Sequence, residues 1–327
     1  MTAGNSPYRS LVKANAADAV PAALGPELEE AAGYARAEKA QATRQAYRSD
    51  FGLFRSWCEM RHVSALPATP QTVAAFLAAE ANRGSKPSTI GRRLAAIRYA
   101  HKLASHEPPT NSEVVKATLR GIRRTANNAP ARKTPATADR IVAMVNKTGS
   151  DPKGLRDRAL LLLGFAGALR RSELVALNVE DLQFCEGGLR VTIRKSKTDQ
   201  EGVGATIGIV SGSIACPVDA VRTWIETGCM VEGPLFRPVT RKGKISKRRL
   251  SSRAVSELVK IYARRAGLNA AKFSGHSLRA GFLTSAAARG ASIFKMMDVS
   301  RHKSVDTLRG YVRDAEMFRD HAGNGLL

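Results

Sequence analysis

The sequence predicts a mainly α-helical protein with a small antiparallel β-sheet: an all-helical N-terminal domain followed by an α+β C-terminal domain. Three features predict this. Between residues 43 and 124 the apolar side chains recur at helical spacing. Around residues 189–210 they alternate with polar ones, as in half-buried strands. Between these patterns lies TANNAPARKTPA (125–136), which has no periodicity and is the expected linker.

In order along the chain, residues 1–24 are Ala-rich and aperiodic and read as a flexible arm; residues 25–124 form the helical domain. Its first helix, Thr43 to His62, places Tyr47, Phe51, Phe54 and Cys58 on one face. The second opens with Thr69-Pro70, a cap followed by a first-turn proline, and carries Val73, Phe76 and Leu77. The third begins at Ser85 to Pro87, with Ile90, Leu94 and Ile97 on one side and Arg92, Arg93 and Arg98 on the other. The fourth starts near Asn111 and carries Lys116, Arg120, Arg123 and Arg124. Few acids are interleaved on these faces, so pairing along each helix does not account for them; contact with a nucleic-acid backbone does.

In residues 137–327, Thr137 caps a helix containing Ile141, Val142 and Val145. The run Ala159 to Ala168, too short to span a membrane, reads as a buried helix. Leu189, Val191 and Ile193 alternate with Arg190, Thr192 and Arg194 in a strand that follows a Gly187-Gly188 turn; residues 203–210 are its partner across the loop KSKTDQEG (195–202). Helices resume near Pro217, Leu250, His276, Ser292 and Val305, and Tyr262 falls on the core face of the helix 254–265.

The charge restricts the function. Lys and Arg number 52 against 28 Asp and Glu, a formal +24. Solubility needs only about 2–8 charges on a small domain, so a polyanionic partner is implied. Residues 1–129 carry +8 and the remainder +16, so the excess is not confined to one tail. The four cysteines (Cys58, Cys185, Cys216, Cys229) form no CxxC pair and have no His at ligand spacing, so neither zinc nor a disulfide framework is expected. With no long apolar run and no signal-peptide core, the protein is expected to be cytoplasmic and nucleoid-associated, without membrane partners.

Breaking a phosphodiester without a metal needs a nucleophile, cations for the phosphorane and an acid for the leaving oxygen. The second half holds each type. GALRRSELVAL (167–177) presents Arg170, with Glu173 three residues on to brace it. GHSLRAG (275–281) sets His276 and Arg279 one helical turn apart. SRHKSVDTLRGY (300–311) places His302 nine positions before Tyr311, and Lys197 lies in the hairpin loop. Each alone has an ordinary structural explanation; their order does not.

Together, Arg170, Lys197, His276-x-x-Arg279, His302 and Tyr311 resemble the signature of the tyrosine recombinase (phage integrase) family, closely over residues 137–320. The resemblance implies an all-α core-binding domain joined to an α+β catalytic domain, the two closing as a clamp on duplex DNA. It implies Tyr311 as nucleophile forming a 3′-phosphotyrosine, Arg170 and Arg279 as a clamp on the non-bridging oxygens, His276 as proton acceptor, His302 as hydrogen-bond donor and Lys197 as acid. No cofactor, ATP or metal is implied. Lys195 shares the strand end with Lys197, whose SKT context is nearer the family pattern; Arg170 is preferred to Arg171 because it directly follows a Leu. One departure is visible: DVSRH (298–302) stands where the family commonly has Leu-Gly-His. The resemblance further implies homodimers on inverted-repeat sites, a tetrameric synapse and a C-terminal tail, 312–327, that can dock on a neighbouring protomer. Type IB topoisomerase chemistry and a catalytically silent DNA-binding protein of the same fold are the alternatives.

Overall fold

The computed structural model describes residues 27–126, 133–194 and 204–315, apart from 28, 32 and 35–37. The predicted arm (1–24), the 195–202 loop including Lys197, and the tail beyond 315 lie outside the described residues. The chain divides into two compact units between Pro130 and Ala131.

The first unit contains α1 (Gln41–Glu59), α2 (Pro70–Asn82), α3 (Pro87–Leu103) and α4 (Glu113–Thr125). The Thr69 hydroxyl accepts the Thr72 N–H at 3.1 Å and Pro70 occupies the first turn, so α2 starts where its cap signal stands. The helices close on Phe54, Trp57 and Phe76, with Phe76 edge-on to both other rings at 5.0 and 5.5 Å. Burying such side chains stabilises by about 1.5–3 kcal/mol each.

A histidine completes this core. His101 is fully buried; its Nε2 accepts the Ala68 N–H at 2.9 Å, and Nδ1 donates to the Ile97 carbonyl at 2.9 Å. Desolvation holds its pKa below the ordinary imidazole value. The unfolded chain therefore takes up the proton more readily, and stability should fall as pH drops below about 6.5, with no effect above it. Each unit of depression is worth about 1.4 kcal/mol at full effect. Thermal unfolding at pH 7.5 and 5.5 checks this: His101→Gln should melt lower than wild type at pH 7.5 and lose less on acidification. An equal acid loss in both proteins would refute it.

The second unit is built on α6 (Pro152–Ala166), capped by Asp151, whose carboxylate accepts the Gly154 N–H at 2.6 Å. Residues 159–163 of α6 are buried all round. Around it stand α5 (Ala138–Val145), α7 (Arg171–Ala176), α8 (Pro217–Thr227), α9 (Ser252–Arg265), α10 (His276–Ala288), α11 (Ile293–Ser300) and α12 (Val305–Ala315). The sheet is β1 (Leu182–Cys185), β2 (Gly188–Ile193) and β3 (Ala205–Ile209), antiparallel in that order. Leu189, Val191 and Ile193 point inward with Ile207 and Ile209, as the alternation predicted. Gly188 has φ +135°, and a Cβ there would lie 2.2 Å from the Ile209 carbonyl oxygen, so the β1–β2 turn needs glycine.

The structure differs from the sequence reading in three places and adds to it in a fourth. β1 was not anticipated, because three of its four residues are exposed and leave no alternation. The segment read as linker, 125–136, begins inside α4 and ends built into the second unit: Thr134 N–H donates to Lys272 O at 2.8 Å and Ala136 N–H to Ser277 O at 2.9 Å. Thr137 precedes α5 without capping it. Its hydroxyl bonds the Asp139 carboxylate, and the Ser285 hydroxyl accepts the Ala138 N–H at 2.9 Å instead. Finally, Tyr262 is core as expected, but its hydroxyl also donates to buried Asp157 at 2.9 Å.

Candidate active site

Three separated stretches of the second unit deliver the candidate residues. The first is the end of α6. There the chain turns through Ala168, whose φ of +44° is left-handed and aims its carbonyl at the Arg279 guanidinium. Arg170 follows as the residue preceding α7, and Glu173 folds back on it. The buried Glu173 carboxylate accepts the Arg170 N–H at 2.9 Å and its Nη1 at 2.6 Å. Burial pulls the Glu173 pKa upward, but those bonds and the charge of Arg301 hold it below the usual carboxylate range.

The second stretch is α10. Gly281 lets this helix press against the 133–136 strap: a Cβ there would come 1.8 Å from the Ala136 carbonyl oxygen. His276 is its first residue and is exposed, while Arg279, one turn on, is 1% exposed. Arg279 Nη1 donates to Ala168 O at 2.7 Å, and Nη2 lies 3.2 Å from His302 Nε2. Burial, then repulsion from Arg170, lowers the Arg279 pKa to about 10, so it stays protonated at neutral pH.

The third stretch is the turn from α11 into α12. Fully buried Ser300 donates its hydroxyl proton to Met296 O at 2.6 Å, and its oxygen lies 2.8 Å from His302 Nδ1. With the hydroxyl proton committed, His302 must donate from Nδ1 and carries its lone pair on Nε2; Arg279 Nη2 lies 3.3 Å from Nδ1 and 3.2 Å from Nε2, beside the ring and not along one lone pair. Desolvation, Arg279 and Arg170 drive the His302 pKa down to about 4. His276 is likewise lowered, by desolvation, Arg279 and Arg170. Both imidazoles are therefore neutral at pH 7, and an incoming anion would raise both.

Tyr311 lies on α12, partly buried against Leu283, Met296 and Leu308, and within electrostatic reach of Arg279. The structure thus gathers Arg170, His276, Arg279, His302 and Tyr311 into one site, with Glu173 behind Arg170. Lys197 and its alternative Lys195 lie outside the described residues; β3, which closes that hairpin, packs against α11.

Arg301 and Ser300 are contributors that the motif reading missed. Arg301 stands at the expected glycine and keeps the glycine conformation, φ 56° and ψ 42°, at a cost of about 1–2 kcal/mol for a residue with a Cβ. Its Nη2 donates to Glu173 at 2.7 Å and its Nη1 to Val299 O at 2.6 Å. The departure in DVSRH was the available signal; what the arginine does with its side chain was not visible.

The arginines of the first unit are less uniform than their helical faces suggested. Arg92 makes a bidentate pair with buried Asp50 at 2.7 and 3.1 Å. Arg93 is 15% exposed and pairs with buried Glu80, also donating to Ser85 at 3.2 Å. Arg98 donates to Thr110 at 3.0 Å and Asn111 at 2.9 Å, and Arg120 pairs with Glu113. Lys116, Arg123 and Arg124 are exposed on α4. Asp50 and Glu80 come from other helices than Arg92 and Arg93, which a search along one helix does not see, whereas Glu113 stands on α4 with Arg120.

The described residues thus combine a helical fold and one small antiparallel sheet with a phenol grouped with two arginines and two histidines. Residues 132–317 match the model of the phage integrase family, and residues 34–108 match that of the phage integrase N-terminal SAM-like domain. The chain belongs to the phage integrase family and is a site-specific tyrosine recombinase. It is 37% identical over 294 residues to an integrase/recombinase XerD homologue of Selenomonas ruminantium, covering 88% of this chain and 86% of that one. It is 29% identical to the tyrosine recombinase XerC of Syntrophus aciditrophicus over 282 residues, 82% of this chain and 86% of the relative. The fold matches that of a λ integrase dimer solved on a core site, with TM-score 0.59 at 18% identity over 97% of this chain and 83% of the other.

Proposed function

We propose that the chain cuts and rejoins double-stranded DNA through a phosphotyrosine at Tyr311. The phenol oxygen attacks the scissile phosphorus as the bond to the 5′-oxygen breaks, leaving a 3′-phosphotyrosine and a free 5′-hydroxyl. Arg170 and Arg279 hold the non-bridging oxygens, where a planar fork fits two acceptors better than an ammonium does. His276, neutral because of its cationic neighbours, takes the phenol proton. His302 stays neutral until the phosphate enters; the anion then raises its pKa, and the protonated ring donates to the phosphorane from Nε2 while Ser300 holds Nδ1. Lys197 protonates the leaving oxygen. The phosphotyrosine retains the energy of the broken bond, so the reverse attack by a 5′-hydroxyl reseals the strand.

Convergence of Arg170, Arg279, His276, His302 and Tyr311 from three distant stretches supports this reading most strongly. The charge of +24 supports a duplex as partner, with exposed Lys116, Arg123 and Arg124 on the backbone and Arg92, Arg98 and Arg120 engaging it by exchanging internal partners. Arg93, held by Glu80, serves the fold first. Residues 25–124 act as the core-binding domain and 137–327 as the catalytic one. Two protomers occupy an inverted-repeat site and two sites synapse as a tetramer. The test is a nicked duplex recovered by repeated binding selection from random-sequence DNA. Wild type should form a detergent-stable adduct on it, and peptide mapping should find the nucleotide on Tyr311. A nucleotide on any other residue would overturn the assignment.

A further inference from the structure

We infer that Arg301 is a positioning residue for this chemistry: its guanidinium, seated on Glu173, ties the turn bearing His302 and the Tyr311 helix to the Arg170 turn. The inference rests on the proposed roles of those residues.

Three observations carry it. Arg301 occupies a left-handed position that favours glycine, and it is an arginine nonetheless. Its side chain is 10% exposed, so it is not a solvated surface cation. Its Nη2 lies 2.7 Å from Glu173 Oε2, while Arg170 Nη1 holds Oε1 at 2.6 Å. One carboxylate therefore joins two guanidiniums that are 131 positions apart in the chain. Arg301 Nη1 also lies 3.5 Å from Gly167 O, at the start of the same Arg170 turn.

Two consequences follow. The turn that sets His302 is fixed relative to Arg170 by an ion pair and not only by packing. Because Glu173 is shared, it neutralises Arg170 less completely, and the pocket keeps more positive charge for a phosphate. Arg279, Arg170 and His276 also face His302, and Arg301 adds to their effect on it.

The test uses the full chain on the selected nicked duplex. Arg301→Gly should fold, since glycine relaxes the turn, and should bind the duplex much as wild type does. It should form the adduct about 10–100-fold more slowly, a loss of the size seen when a residue that orients a metal ligand is removed. Arg301→Lys, which keeps a cation, should recover part of the rate. In NMR titrations the His302 imidazole of Arg301→Gly should protonate at higher pH than in wild type, a change that a purely structural role would not produce. A wild-type rate in Arg301→Gly overturns the inference. So does a lowered melting temperature in Arg301→Gly with an unmoved His302 titration, which would leave the arginine a folding role alone. If wild type binds the duplex without forming an adduct, the proposed cleavage itself fails, a result distinct from either.

Discussion

Tyr311→Phe is expected to bind the selected duplex as tightly as wild type and to form no covalent adduct. The substitution removes one oxygen and keeps the ring that packs against Leu283, Met296 and Leu308, so the fold and the packing of α12 are retained. No charge changes at neutral pH, so the electrostatic part of DNA affinity is also retained. What disappears is the atom that the proposed reaction bonds to phosphorus. Tyr262, the other tyrosine of the second unit, is 3% exposed and bonded to Asp157; burial and that carboxylate push its pKa well up, opposite to what a nucleophile requires. The effect should be all-or-none in detergent-stable complex, with the binding isotherm as control. Adduct in Tyr311→Phe would mean that another side chain attacks.

The parts of this structure legible in the sequence are those governed by local rules. Thr69-Pro70 marks the start of α2 because a cap and a first-turn proline act within one turn of chain. The alternation 189–194 reports a strand because one face is buried and the other is not. The candidate site was legible for a different reason: Arg170, His276-x-x-Arg279, His302 and Tyr311 together resemble the tyrosine recombinase signature, which none of them signals alone. What escaped depends on tertiary partners. Asp50 lies 42 positions from Arg92, and Glu80 lies on another helix than Arg93, so basic faces that seem wholly available are partly spoken for. Ser300 next to His302 looks unremarkable until its hydroxyl proton is found committed to Met296 O, which then decides the imidazole tautomer. Thr137 has the residue type of a cap, yet a hydroxyl from α10 does the capping.

Arg279→Lys should slow adduct formation by about 10²–10³-fold, the loss that follows removal of one preorganised donor to a developing oxyanion. The native side chain divides its work. One nitrogen is held by Ala168 O at 2.7 Å, the other lies beside His302, and the plane between them is fixed before any phosphate arrives. A lysine offers a single point of charge on a flexible stem and cannot hold both directions. It also starts from a pKa of about 10.4, two to three units below arginine. The environment that lowers Arg279 to about 10 would lower a lysine as well, bringing its loss of charge toward the working pH. The sign is therefore defined. The variant's adduct rate should fall between pH 7 and 9 as the lysine loses its proton, whereas Arg279 stays charged through most of that window and wild type should show no such fall. Duplex affinity at neutral pH should change far less than the rate, because a side chain 1% exposed meets at most one phosphate among many. Parallel pH profiles for the two proteins would mean that the guanidinium at 279 supports the fold and not the reacting phosphate.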